Sequence, residues 1–571
     1  MRKVYLLLII LFLSISIQAK DIYKSIDYPQ NYFRLPLDIV PVISGSFGEL
    51  RGNHFHSGLD YKTNQREGYP VYAVADGYIS RLRVSATGFG NAVYITHPNG
   101  YTSVYGHLKK YNDRITQTVK TYQYRIESFE VDFPLLSVEI PVKKGDLIAW
   151  SGNSGGSGAP HLHFELRDTQ TEETINPQLF GLAIPDRVKP AITGLYLYRM
   201  NNEPFSEFTP KQYFQIAGAN GVYKLNQSPV IKVSGQFGFG LMTNDKNSAS
   251  ANILGVYSID LEVDGKTIYN SVWEKFSFEN SRAINSHLDY PALLTTGRKI
   301  QKSFVDPGNP LKLYKTQIEN GLLDIRDNEI HDVQYLIKDV SGNTSRLNFR
   351  IRYNPDAVIK AKYIDATSRF PFDQDNRFES GDIKVFIPQG ALYTDLYFNY
   401  NSLPKPTGAF SKIHKIHNNL TPLQKFYTLW IRPDSTLTEE LKSKAIIVDS
   451  KRISQGGIYE DGFVKASARN FGSFYVAVDT VPPRIIPINI SDGKNMATIP
   501  KLIFKISDNL SGIRSYRGTI NGRWVLMEFD AKSATLWHTF DEQTLLGAHN
   551  LQLFVTDMKN NSNIYTANFN R

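Results

Sequence analysis

The stretch Pro160-His161-Leu162-His163-Phe164-Glu165-Leu166, taken together with His56-Ser57-Gly58-Leu59-Asp60 well upstream, decides how this chain is read. Leu162, Phe164 and Leu166 alternate with polar residues, the pattern of a β-strand with one face in a core. Residues two apart in a strand project to the same side, so His161 and His163 point together into one cavity. Such a strand needs partners, and an antiparallel sheet can collect ligands from distant segments on one face. Zinc accepts imidazole nitrogen and carboxylate oxygen, and a catalytic zinc takes three protein ligands and leaves one position for water. Together the two stretches have the makings of a split zinc site.

Histidine usage supports a shared site over scatter. Of 12 histidines, His54, His56, His97, His107, His161 and His163 crowd into one early segment. A lone His-x-His pair is more often a hydrogen-bonded bystander, and the whole constellation carries the reading.

The motifs bear a family resemblance. The chain resembles the lysostaphin/LytM-type zinc endopeptidases, which are marked by a His-x-x-x-Asp element, a later Tyr-x-His-Leu-like element and a terminal His-x-His. Here these are His56-Ser57-Gly58-Leu59-Asp60, Tyr105-Gly106-His107-Leu108 and His161-Leu162-His163. The framework Gly68 to Gly77, Gly145-Asp146-Leu147-Ile148 and Ser151-Gly152-Asn153-Ser154-Gly155 is similar to the family's as well. The resemblance covers about residues 35 to 170. It implies that His56, Asp60 and His163 hold one Zn2+ per chain and that His107 and His161 are the catalytic histidines. One would handle the proton and the other the developing oxyanion, and the sequence leaves open which does which. His54-Phe55-His56 is a second His-x-His, but only His56 has the three-residue gap to Asp60 with Gly58 between, so His54 is expected behind the ligands. His97 precedes Pro98-Asn99-Gly100 and reads as a hairpin residue.

At 571 residues the chain exceeds one core and should divide into several domains. Met1-Arg2-Lys3, the apolar run Val4 to Ile17 and Gln18-Ala19 have the order of a secretory signal peptide cleaved after Ala19. No later segment is long enough to span a membrane, so no stable span is expected after cleavage. The absence of cysteine excludes disulfides, thiolate zinc ligands and a lipidated N-terminal cysteine. Stability must then come from apolar burial, for which 41% hydrophobic residues suffice. The net charge of +9 is small for the length and no basic block stands out, so nucleic-acid binding has no support.

Turn clusters recur between short strand-like runs and long helical periodicity is scarce, so the fold class is all-β. Boundaries are expected where proline and charge interrupt such runs, at Pro185-Asp186, Asn354-Pro355-Asp356 and Thr480-Val481-Pro482-Pro483. The expected division is a signal peptide over 1–19, a LytM-like antiparallel-sheet peptidase domain over 20–185, and three β-sandwich, immunoglobulin-like modules over 186–355, 356–480 and 481–571. An internal repeat links the second and fourth units. His331 to Asp339 parallels His549 to Asp557, each followed by an asparagine, Asn343 or Asn561. Upstream, Gly255 to Gly265 parallels Gly512 to Gly522, with Asp-Gly and Asn-Gly hairpin signals in register. The matched positions of His331 and His549 point to a structural role. Lys109 to Val142 exceeds a normal hairpin connection, and its alternating Tyr122 to Ile126 predicts an extra hairpin walling the cleft.

The resemblance implies an exported zinc endopeptidase of the bacterial envelope, expected in the periplasm, with peptidoglycan as partner. Its target would be a stem peptide or cross-link, the direct link from D-alanine to a diamino acid being favoured over a glycine bridge. Two other readings are a non-catalytic LytM-like regulator of wall hydrolases and a peptidase acting on envelope proteins. The C-terminal modules would serve as spacers or meet envelope protein partners.

Overall fold

In the computed structural model, which describes residues 22–227, 230–358 and 366–571, His161–Asp168 is a strand whose Leu162, Phe164 and Leu166 are completely buried. The signal segment expected over 1–19 lies outside the described residues. The strand sits within an antiparallel sheet made of β1 (Ile43–Gly45), β2 (Leu59–Lys62), β3 (Gly77–Val84), β4 (Asn91–Thr96), β5 (Tyr101–Leu108), β6 (Val131–Pro134) and β7 (His161–Asp168). Its spatial order is β1-β2-β7-β5-β4-β3-β6. Because β7 lies between β2 and β5, His163 stands opposite Asp60 on one side and Gly106 on the other. One row across three strands thus brings together the three motifs. Pro70–Tyr72 leaves this sheet and pairs instead with Leu147–Trp150, in a three-stranded sheet completed by Lys110–Tyr111.

The segment expected as an extra hairpin is built around a helix instead. Helix α1 runs over Asp113–Ile126; before it Lys110–Tyr111 pairs with Leu147–Trp150, and after it Val131–Pro134 and Pro141–Val142 both pair with β3. Ile115, Val119 and Gln123 are buried at four-residue spacing, a helical stripe. Asn112 caps the start, its side chain accepting from the Ile115 amide. The alternation at Tyr122 to Ile126 is local, and the longer helical period prevails over it.

The remaining chain is β throughout, apart from a few short helical turns, and forms sandwiches. Two sheets, of six and eight strands, follow the first unit; then come three, of two, five and four strands, and finally two of four and five. The first two units share an apolar core in which Trp273 packs edge-on against Phe55, and Thr174–Ile175 pairs across to Lys275–Phe276. The repeat appears as matched hairpins. Asp264-Gly265 and Asn521-Gly522 all have positive φ, the conformation of a tight hairpin turn that follows strand twist. His331 Nδ1 meets Asp264 at 2.7 Å and His549 Nδ1 meets Asn521 at 3.0 Å, so both histidines pin the turn of their own module.

The modules close on themselves. Arg282 donates to the Leu423 carbonyl between the second and third units, and Lys444 donates to the Lys559 carbonyl between the third and fourth. The fourth returns to the first: Tyr124 of α1 packs edge-on to Trp524 with ring centres 5.0 Å apart and donates to Asp541, while Lys120 pairs with Asp541 and Glu542. Among the described residues no helix is long and apolar enough to cross a membrane.

Burial lowers His97, His287, His414 and His417 to about 4 from 6.5. A depressed folded pKa means that the unfolded chain takes up the proton first, so each contribution is intact above pH 6.5 and is lost as pH falls toward 4. Each is worth up to roughly 3 kcal/mol. Melting temperature should therefore fall steeply across that window, and a flat profile from pH 7 to 4 would contradict these buried neutral histidines.

Candidate metal centre

The site begins with the row Asp60, His163 and Gly106. His56 precedes β2 in a tight connection where Gly58 passes against β7: a Cβ on Gly58 would stand 2.2 Å from the Phe164 carbonyl oxygen. Only glycine lets the backbone approach that closely. His107 lies at a bulge between β4 and β5 with φ of 59°, the left-handed region that non-glycine residues seldom occupy. The bulge turns His107 toward the same side as the histidines of β7.

The sequence-predicted residues come together. His56 Nε2 is 3.1 Å from His163 Nδ1 and 3.0 Å from Asp60 Oδ1, and His163 Nδ1 is 2.9 Å from that same oxygen. All three residues are buried. The His107 and His161 rings lie beside them, with centres 4.8 Å apart. His161 Nε2 is 3.3 Å from Asp60 Oδ1 but makes no hydrogen bond of acceptable geometry, leaving a buried polar atom unpaired. His54 stays outside the cluster, exposed and bonded to the Gly52 carbonyl. His97 is buried at its hairpin, between the Asp76 carbonyl and Ser103.

Each ring is oriented from behind. The Ser46 carbonyl accepts from His56 Nδ1 at 2.8 Å, and a carbonyl can only accept, so Nε2 carries the lone pair that faces the cluster. By the same argument Ser154 fixes His107 and Ala159 fixes His161 through their Nδ1 atoms. Glu165 Oε1 lies 2.8 Å from His163 Nε2. Glu165 is completely buried and is held in turn by Ser57 and Arg167. The sequence reading did not single out Glu165 or Arg51, whose guanidinium takes the second oxygen of Asp60 at 2.5 Å. Glu165 was findable, since it continues the alternation of His161 and His163 on one face of the strand. Arg51 carries no such signal.

The charges agree with a cation site. Burial opposes ionisation of Asp60, yet His56, His161 and His163 together hold its carboxyl well below the usual carboxylate range. Burial likewise works against a charged His163, but Asp60 and Glu165 push it up to about 9. Glu165 is held down to about 2, because Arg167 and His163 outweigh its burial. Burial lowers His56 despite Asp60, and burial with the charges of His163 and His161 lowers His107 to about 3. Asp60 and Glu165 thus favour positive charge at the point where two ring nitrogens and a carboxylate oxygen converge. Ligand atoms around a tetrahedral zinc with bonds of about 2.0–2.1 Å stand about 3.3 Å apart, near the spacing here. His56, Asp60 and His163 fit that ion, with Ser46 and Glu165 as the outer groups that orient the rings.

A family model described as Peptidase family M23 matches residues 54–124, and a Zu5-like domain model matches residues 367–479. A protein named "Uncharacterized metalloprotease" from Haemophilus influenzae is 36% identical over 143 residues, 24% of this chain and 25% of that protein. The DD-carboxypeptidase/endopeptidase Mpg of Neisseria meningitidis is 32% identical over 131 residues, 23% of this chain and 24% of that protein. The solved catalytic domain of lysostaphin from Staphylococcus simulans is 27% identical, covering 24% of this chain and 87% of that one, with a TM-score of 0.18. The chain thus spans about a quarter of the length of the curated relatives it matches. The class is that of a metallopeptidase-type β domain. More particularly, the first unit is similar to the LytM/lysostaphin-type metallopeptidases, and the likeness stops within it.

Replacing Glu165 with Gln keeps its shape but removes the charge behind His163. The Glu165→Gln protein should bind zinc roughly 10–100-fold more weakly, as other outer-shell changes do. Competition against a chromogenic chelator measures this, and an unchanged affinity would remove Glu165 from the site.

Proposed function

We propose that this chain is an exported zinc endopeptidase that hydrolyses peptide cross-links or stem peptides of bacterial peptidoglycan. The observation that carries the reading is the convergence of His56 Nε2, His163 Nδ1 and Asp60 Oδ1 beside two further histidines with acceptor nitrogens. His56, Asp60 and His163 would hold the ion. A zinc at such ligands supplies Lewis acidity and lowers the pKa of its water to roughly 7.

The chain's own residues do the rest. Ser154 and Ala159 hold His107 and His161 with Nδ1 protonated, so both neutral rings present Nε2 as a base. A proton taken there leaves a donor for the departing amine, or for the oxyanion of the tetrahedral intermediate. Asp60 Oδ1 lies 3.3 Å from His161 Nε2, so the ring stands beside the ligand set. Burial of the ligand set keeps competing water from Asp60 and His163.

The substrate and location rest on the relatives and on the N-terminal sequence. Mpg is named as a DD-carboxypeptidase/endopeptidase, which supports a wall peptide as target. The signal-like Met1 to Ala19 supports export, with the periplasm as destination. We divide the chain at 185/186, 355/356 and 480/481 and assign the C-terminal modules to positioning the catalytic unit, with contacts to envelope proteins as a further role.

Digestion of purified peptidoglycan containing direct or glycine-bridged cross-links, followed by mass analysis, tests the reading. Wild type should release cross-link fragments from the direct-linked polymer, His163→Ala should release none, and His107→Ala and His161→Ala should each lose roughly 10²–10⁴-fold. Equal release by wild type and His163→Ala would overturn the assignment.

A further inference from the structure

The internal repeat carries more than hairpins. In the second unit Asp186, Asp245 and Asp339 each offer a carboxylate oxygen within 4.8 Å of the others, and in the fourth unit Asp479, Asp508 and Asp557 do the same. The two triads occupy matching places. The first aspartate lies at the entry to its module, and its Oδ1 accepts from the amide two residues on: Val188 at 2.9 Å and Val481 at 3.3 Å. The second lies late in or just after a core strand, Gln236–Asn247 or Lys501–Ser507. The third lies at the end of the strand Ile330–Lys338 or Ala548–Asp557 and is bound by the asparagine four residues later. Asn343 donates to Asp339 Oδ2 at 2.6 Å and to the Asp186 carbonyl at 3.4 Å. Asn561 donates to Asp557 Oδ2 at 2.7 Å and to the Asp479 carbonyl at 2.9 Å. Two modules that differ in loop length keep the same joint.

Acidic clusters alone mark nothing, but here the second aspartate adds an independent observation. Asp245 is only 5% exposed, and its Oδ1 has no hydrogen-bond partner. Asp508 has one oxygen bonded to the Leu510 and Gly512 amides, and its Oδ1 is likewise buried without a partner. The same atom is orphaned in both copies. Among the described residues no lysine or arginine forms an ion pair with Asp186, Asp245, Asp479, Asp508 or Asp557. The nearby ammonium of Lys559 donates instead to the Gly457 carbonyl. Burial with the charges of Asp339 and Asp186 pushes Asp245 up to about 8, the mark of a carboxylate lacking a counter-charge. Oxygens facing each other across a calcium ion with bonds of about 2.3–2.6 Å stand up to about 5 Å apart, so the spacing suits a hard, oxygen-seeking cation.

We infer that each triad is a calcium site, one at the entry of the second unit and one at the entry of the fourth, and that the bound ion stiffens the joint with the preceding unit. The sites involve neither His56 nor His163 and do not depend on the peptidase reading. In the second unit the joint has a wall in common with the first: Asp186 and Asp245 line a small cavity with Ser46, Asn176 and Asn247.

Full-length mature protein, freed of divalent ions and resupplied with one equivalent of zinc, is titrated with calcium chloride by calorimetry and melted with and without calcium. Wild type should take up two calcium ions per chain, and its melting temperature should rise by roughly 5 °C at saturation. Asp245→Asn and Asp508→Asn should each take up one, and the double variant none. The sign of the mutational effect separates an ion from shared protons. Without calcium Asp245→Asn should melt above wild type, since it relieves like-charge repulsion, and with calcium it should melt below. No uptake by wild type at ~10 mM calcium would overturn the inference. So would two ions bound by Asp245→Asn, or an Asp245→Asn protein that melts above wild type in both conditions.

Discussion

The register of a single strand pair sets everything at this centre. Asp60 stands directly across from His163 because β2 and β7 pair without a bulge through Leu59 to Lys62. A slip of one residue would turn both side chains to the opposite face and bring Leu59, Leu162 and Phe164 into the polar cavity. The apolar cost of that exchange locks the register. Complete burial of Leu162, Phe164 and Leu166 is therefore what fixes the geometry of the candidate centre.

Around this row the chain spends backbone groups and one buried carboxylate on aiming rings. Ser46, Ser154 and Ala159 offer carbonyl oxygens, Glu165 offers a carboxylate, and each leaves one nitrogen facing inward. A histidine free to rotate would lose entropy on binding an ion, and these four have already lost it on folding. The left-handed backbone at His107 belongs to the same arrangement. Strain of roughly 1–3 kcal/mol is accepted there to bring the ring alongside β7.

The sequence made the centre legible because period-two patterning and fixed spacing are local. His161, His163 and the alternation around them could be read directly, and so could the Asp-Gly and Asn-Gly turns of the repeat. What escaped depends on distant contacts. Arg51 reaches Asp60 only because the short hairpin Leu50–Phe55 folds over the sheet. Helix α1 escaped because five alternating residues obscured the four-residue stripe of Ile115, Val119 and Gln123, a case of a short period masking a longer one. The asparagines Asn343 and Asn561 were visible as repeat markers, while their role of tying the third aspartate to the module entry needed the tertiary structure.

The return of the last module to the first has a mechanical meaning. Four units joined end to end by hinges would act as a tether, letting the first module sweep a wide volume. With Tyr124 wedged against Trp524, and Lys532 donating to the Asn153 and Ser157 carbonyls in the loop that leads into His161, the chain is a closed ring. A ring does not reach. It holds the first module in one place against the last, and any force on the far modules is felt as torque on that loop.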